Sequence, residues 1–207
     1  MTTASDPIAI PALTKATAET AAAVLGRCAP SERAAPHLGD AGEAPSALMQ
    51  RLVEAGLTAD AITLLAHLLP AREGTWWAAQ AARTLELGGD GELPRRCVRA
   101  AETWVAHPDD ERRRAAMDLA AELGTDHAAA WAATAAFWAG DSLAPADQPP
   151  VPPPDHLWCH AVNGAVLLTA AHDPHPAIAA RQRGLLGQGI DIATGGTGRP
   201  RHHANTG

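Results

Sequence analysis

The chain has 207 residues, of which 46% are hydrophobic, 19% charged and 3% aromatic, with six Trp, one Phe and no Tyr. That length suffices for a real hydrophobic core in one or two domains, and tryptophan must supply nearly all its aromatic packing. A formal net charge of -7 excludes the basic stripe that phosphate-backbone binding needs, so nucleic acid is not an expected partner.

Residues 1–45 read as a poorly ordered N-terminal segment. Met1 to Leu13 is expected to be extended, Thr14 to Arg27 is one candidate Ala-rich helix, and Pro30 to Pro45 is a loop. A single helical domain follows over residues 46–193. Ser46 is placed to cap a helix to Ala55, ended by Gly56, with Leu48, Met49, Leu52 and Val53 on one face. Thr58 is placed to cap the next, to Leu69, and so short a turn makes the two an antiparallel pair.

The run Leu69 to Leu87, LPAREGTWWAAQAARTLEL, is the centre of the chain. Pro70 suits a first helical turn, and Gly88 and Gly89 supply a stop. One side collects Ala71, Gly74, Ala78, Ala81 and Ala82, which lets another helix approach closely. The other carries Arg72, Glu73, Trp76, Trp77, Gln80 and Arg83, so two indoles lie among guanidinium, carboxylate and amide groups. Two readings of that arc stay open. Either the charges tie neighbouring helix ends together while the indoles fill the core, or the arc is a protein-binding hot spot, where Trp and Arg are enriched.

Pro94 to Ala106 is amphipathic, with Cys97, Val98, Ala101, Trp104 and Val105 inward and Arg95, Arg96 and Arg99 outward. Pro108 opens a helix whose first turn holds Asp109, Asp110 and Glu111, with outward pairs Asp110–Arg114 and Arg114–Asp118. His127 to Ala139, capped by Asp126, is nearly all alanine with Trp131 and Trp138 seven apart, and a helix so poor in charge must be central. Residues 145–155, PADQPPVPPPD, form a polyproline II-like strap, His156 to Ala171 is an apolar helix, and Asp173 and Pro174 open a last one from Pro176 to about Gly187. Residues 194–207 are Gly-rich and basic and read as a disordered tail. No segment alternates as strands do, so the class is all-α, about eight helices in antiparallel pairs, packed as a helical-repeat-like stack or an orthogonal bundle.

Cys28, Cys97 and Cys159 are widely separated and odd in number, which suits a reducing compartment. The start lacks the pattern of a secretory signal and the longest apolar run, near Gly164 to Ala171, is too short for a bilayer. A cytoplasmic protein without membrane insertion is expected. His156 and His160, four apart, are weak metal-ligand candidates, for no third ligand is evident and no HExxH glutamate is present. Gly195, Gly196 and Gly198 do not make a phosphate loop, since no strand precedes them and no GK[ST] follows; no cofactor is expected.

The residues Leu69, Pro70, Arg72, Glu73, Trp76, Trp77 and Arg83, with Trp104-Val105 before Pro108, resemble the LPxRExxWW pattern of a bacterial all-helical family of unknown function. Ala130-Trp131, Ala136-Phe137 with Gly140, Val151-Pro152-Pro153 and Gly189 to Ala193 look similar to it as well. The likeness spans Leu48 to Gly196. It implies a helical fold and no assigned activity, and it associates some members with neighbourhoods of type VI secretion genes. Gly74 and Thr75 stand where the family favours better helix formers, which implies a less rigid central helix. The functional expectation is a non-enzymatic accessory or interaction protein with a protein partner; the alternative is a metal-binding or enzymatic helical domain centred on His156 and His160.

Overall fold

Wherever apolar residues recur at helical spacing the chain is helix in the computed structural model, which describes residues 10–86, 91–172 and 177–199. Among the described residues the elements are α1 (Ala21–Leu25), a 3-10 turn (Glu32–His37), α2 (Pro45–Glu54), α3 (Thr58–Leu68), α4 (Ala71–Glu86), α5 (Glu92–Ala106), α6 (Asp110–Leu123), α7 (Ala128–Trp138), α8 (Leu157–Ala171) and α9 (Ile178–Ala193), and no strand. The class is all-α.

Local chemistry sets most boundaries. Asp109 caps α6 by accepting the Arg112 backbone N–H at 2.8 Å, with Asp110 and Glu111 in the first turn against the helix dipole. The α2 start is not a Ser46 cap: Pro45 sits in the first turn, where its missing N–H leaves nothing unsatisfied. Thr58 is likewise the first residue of α3 rather than its cap. Between these two helices Gly56 has φ +76°, a conformation open to glycine, and it turns α3 back onto α2. The expected stop at Gly88 and Gly89 and the opening at Asp173, Pro174 and Pro176 lie outside the described residues.

Charge-free α7 is the centre, packed against α4, α5, α6 and α8. Its alanines are buried on every side, because a helix without charged side chains, whose one hydroxyl, Thr134, donates to its own Ala130 carbonyl, has no face to give to water. Trp131 and Trp138 meet edge to face at 6.0 Å, and α8 approaches closely enough that a Cβ on Gly164 would sit 3.3 Å from the Trp131 ring. Because α4 touches α7 and α8 as well as α5, the packing is a bundle about α7 rather than a stack in which each unit meets only its neighbours. A second layer, α2, α3 and α9, closes over α4 and α8.

Three segments carry more structure than their composition implies. Residues 10–44 run over α2 and α3 and are stitched there: Thr17 donates to the Leu68 carbonyl from both its N–H and its hydroxyl, Ser31 donates to Asp60, and Arg51 binds Glu43 and the His37 carbonyl. The α-helix within them is limited to α1, shorter than the Thr14 to Arg27 expectation, and the 3-10 turn lies in the segment expected to be a loop. The proline strap closes on itself, with Leu143 N–H donating to the Val151 carbonyl at 2.7 Å and Val151 N–H to the Ser142 hydroxyl at 3.0 Å. Buried Arg113 anchors its root at the Ser142 carbonyl, and Arg114 holds the Ala144 carbonyl while also pairing with Asp110. Finally, α9 does not stop at Gly187 but runs to Ala193, and residues 195–199 fold back over α4.

Candidate functional site

The charged and aromatic arc of α4 divides once it is folded. Trp77 is 0% exposed, and its indole Nε1–H donates to the Leu185 carbonyl of α9 at 3.0 Å. A Cβ on Gly189 would fall 2.6 Å from that ring, so only glycine lets α9 lie so close. Arg72 reaches across to the end of α5, where Nε and Nη2 donate to the Val105 carbonyl at 3.0 and 2.6 Å. Its charge meets an orphan carbonyl at a helix C-terminus, a favourable placement for a cation. Arg83 and Gln80 both bind Glu102 of α5, and Lys15 from the N-terminal segment pairs with Glu73 at 3.0 Å. Most polar groups of the arc therefore hold the helices and the N-terminal segment together.

Trp76 is the exception in kind. Its ring is only half-buried, and what covers it is the turned stretch that follows α9 rather than a helix. The indole N–H donates to the Thr197 carbonyl at 2.8 Å, and the Arg199 guanidinium lies 5.0 Å above the ring. Arg199 Nε also donates to Gln80 Oε1 at 3.3 Å, and Gly198 N–H to Asp191 Oδ2 at 2.8 Å. The covering stretch thus crosses from α9 onto α4 and runs from Trp76 towards Gln80. Beyond Arg199 an open trough continues between α4 and α9, lined by Thr84, Gly184, Leu185, Gly187 and Gln188. Thr197, Arg199 and Asp191 are the residues of this face that periodicity does not reveal, since two of them lie in a Gly-rich stretch with no helical pattern.

The histidine candidates lie near His67 but are not arranged as a pair of metal ligands. His156 precedes α8 with φ 60°, so it and His160 are not successive turns of one helical face. The His156 ring lies 5.4 Å from Trp158, whereas that of His160 meets the His67 ring edge to face at 5.2 Å. Among the described residues no three His, Cys, Asp or Glu side chains are grouped to hold a metal ion. Buried His67 of α3 binds the Thr63 carbonyl through Nδ1 at 2.9 Å, while Nε2 has no hydrogen-bond partner among the described residues. Desolvation holds its pKa below the ordinary value, and the nearby His160, His156 and Arg27 push the same way. The neighbouring thiols are pushed up, Cys28 to about 11 and Cys159 to about 12, chiefly by burial. Both are protonated at neutral pH and neither is an activated nucleophile.

Elsewhere, a cleft of about 330 Å³ lies among Ala82, Leu85, Pro94, His127, Leu168 and His172. Asp126 joins His127 and His172 in its otherwise apolar lining.

Compared with known protein families, residues 48–193 match the family of unknown function DUF6931. No curated protein and no solved structure matches the chain.

Proposed function

The chain belongs to that family of unknown function, and we propose that it is a non-enzymatic protein-interaction protein whose recognition surface is the face of α4 around Trp76 and Arg72. The single observation that carries this reading is the half-buried Trp76 indole, whose N–H donates to the Thr197 carbonyl and whose face carries the Arg199 guanidinium. An indole that is apolar on its face and a donor at its edge is the kind of anchor on which interface energy concentrates. Arg72, exposed beside it, supplies the polar rim. A cytoplasmic location accords with three reduced thiols. The finer reading is an accessory of a secretion apparatus, which rests on the resemblance to a family some of whose members are associated with neighbourhoods of type VI secretion genes.

The test is quantitative affinity capture with matched thermal melts. Trp76→Ala and Arg72→Ala are expected to lose the protein partners that the wild type captures, with the melting temperature of Trp76→Ala within about 3 °C of wild type, since a change at a half-exposed site stays near 1 kcal/mol. Capture unchanged by either substitution would refute the surface; partners unrelated to secretion machinery would refute only the finer reading.

A further inference from the structure

Between α7 and α8 the chain takes residues 139–156 to join two helices that pack directly against each other. Helix–helix connections usually need only about 2–8 residues, and one much longer than that is commonly a functional loop. This one is anchored yet uncovered. Arg113 and Arg114 hold the Ser142 and Ala144 carbonyls at its root, and the Val151 main chain is bonded to Leu143 and Ser142. Residues 145–152 are nevertheless exposed, and Val151, at 54%, is the one exposed large hydrophobic side chain among the described residues.

We propose that residues 147–155, DQPPVPPPD, are a preformed polyproline ligand for a protein domain whose groove is lined by Trp and Tyr rings and flanked by Lys or Arg. Residues 149–154 hold five prolines, each fixing φ at about −65°, and all but Pro150 and Pro154 directly precede another proline, which keeps them extended. The run forms no helix, strand or turn. At the three residues per turn of polyproline II, Pro149 and Pro152 share one edge, Val151 and Pro154 a second, and Pro150 and Pro153 the third. Of these six only Pro153 is partly covered by the body, so the first two edges are open together, which is what a flat aromatic groove meets. No main-chain N–H among the described residues donates to the carbonyls of Pro149, Pro150, Pro152 or Pro153, which leaves them to the indole N–H and phenol O–H donors of such a groove. Charge fixes the rest of the partner. Exposed Asp141, Asp147 and Asp155 stand in a stretch without Lys or Arg, so complementary cations belong at the ends of the groove. Proline and the anchored root leave little conformational freedom to lose on docking. No residue of the α4 face takes part, so the inference is independent of the reading of Trp76.

The experiment is photo-crosslinking of the full chain in an extract of the source cells, with p-benzoylphenylalanine in place of Val151, followed by mapping of the adduct by mass spectrometry. The adduct is expected on a partner groove that carries Trp or Tyr with Lys or Arg beside it. A synthetic DQPPVPPPD peptide is expected to compete for it, and the same peptide with alanine at the places of Pro149 and Pro152 is not. Calorimetric titration of the purified partner with the unmodified chain is then expected to show affinity that falls as salt rises and drops at least roughly tenfold in the Pro149→Ala/Pro152→Ala double variant. Both rings are exposed, so that variant is expected to melt as the wild type does. No adduct, an adduct on a second copy of this chain or on a surface without aromatic side chains, competition by the alanine peptide, or affinity indifferent to salt overturns the proposal. Binding that Trp76→Ala abolishes and the double proline variant leaves intact would assign the partner to the α4 face and reduce the strap to a connector; the reverse result supports the strap and leaves the α4 face to its own test.

Discussion

Trp76 and Trp77 are adjacent, yet one is a buttress and the other a surface anchor. Their directions differ by about 100° on a helix, so one neighbour has to face away from whatever packs on the other. What sends Trp77 inward is Gly189, more than a hundred residues later in sequence, whose missing side chain makes the space the indole fills. The sequence showed both rings to be unusual but offered no means of telling them apart, since the deciding residue is a glycine within a helix. Trp77→Ala removes a fully buried indole and its hydrogen bond to the Leu185 carbonyl. We expect a loss of about 3–5 kcal/mol, read from urea unfolding. Trp76→Ala, by contrast, is expected to stay near 1 kcal/mol, and comparable losses for the two would mean that Trp76 is core.

Helix α9 shows where propensity misleads at the scale of an element. Read alone, Gly184, Gly187 and Gly189 mark a helix that ends by Gly187; in the fold they lie within Ile178–Ala193. Burial of Leu185, Leu186, Ile190 and Ile192 outweighs the roughly 1 kcal/mol that each glycine costs relative to alanine. The glycines also differ from one another. At Gly189 an added Cβ would meet Trp77 and Leu65 at 2.6 and 2.7 Å, whereas at Gly187 it would meet nothing within 4 Å. The same substitution should therefore have opposite signs: Gly189→Ala is expected to destabilise by about 1–3 kcal/mol and Gly187→Ala to stabilise by about 0.5–1 kcal/mol. Chemical denaturation of the two variants side by side checks this, and a stabilising Gly189→Ala would mean that α9 does not pack as described. The long amphipathic helices α5 and α6 were legible because one stripe of each is simply apolar; α9 was not, because its fit depends on a partner surface.

At the scale of the whole molecule, the N-terminal segment is joined to the bundle at a polar cluster around buried His67 that composition could not disclose. Arg27 binds Thr17 and the His67 carbonyl, and Arg27, His156 and His160 all bear on the His67 ring. Protonating His67 there would place a new positive charge, largely desolvated, beside a guanidinium and two further imidazoles. Its folded pKa is accordingly held below the unfolded value, and His156 is shifted in the same direction by its own burial and by Arg27. Below the ordinary histidine pKa of about 6.5 the unfolded chain takes up protons that the folded chain refuses, so stability is complete above that pH and falls as pH drops towards the folded pKa values. The slope contributed by one such proton is at most about 1.4 kcal/mol per pH unit. Urea midpoints measured from pH 7.5 down to 5 are expected to decline, and His67→Gln, which keeps a polar side chain but cannot charge, is expected to flatten that decline while losing stability at pH 7.5. A profile that His67→Gln leaves as steep as wild type would show that the buried imidazole is not what ties folding to pH. In that case the decline over this range would have to come from His156, the other imidazole whose pKa is held down by its burial and by Arg27.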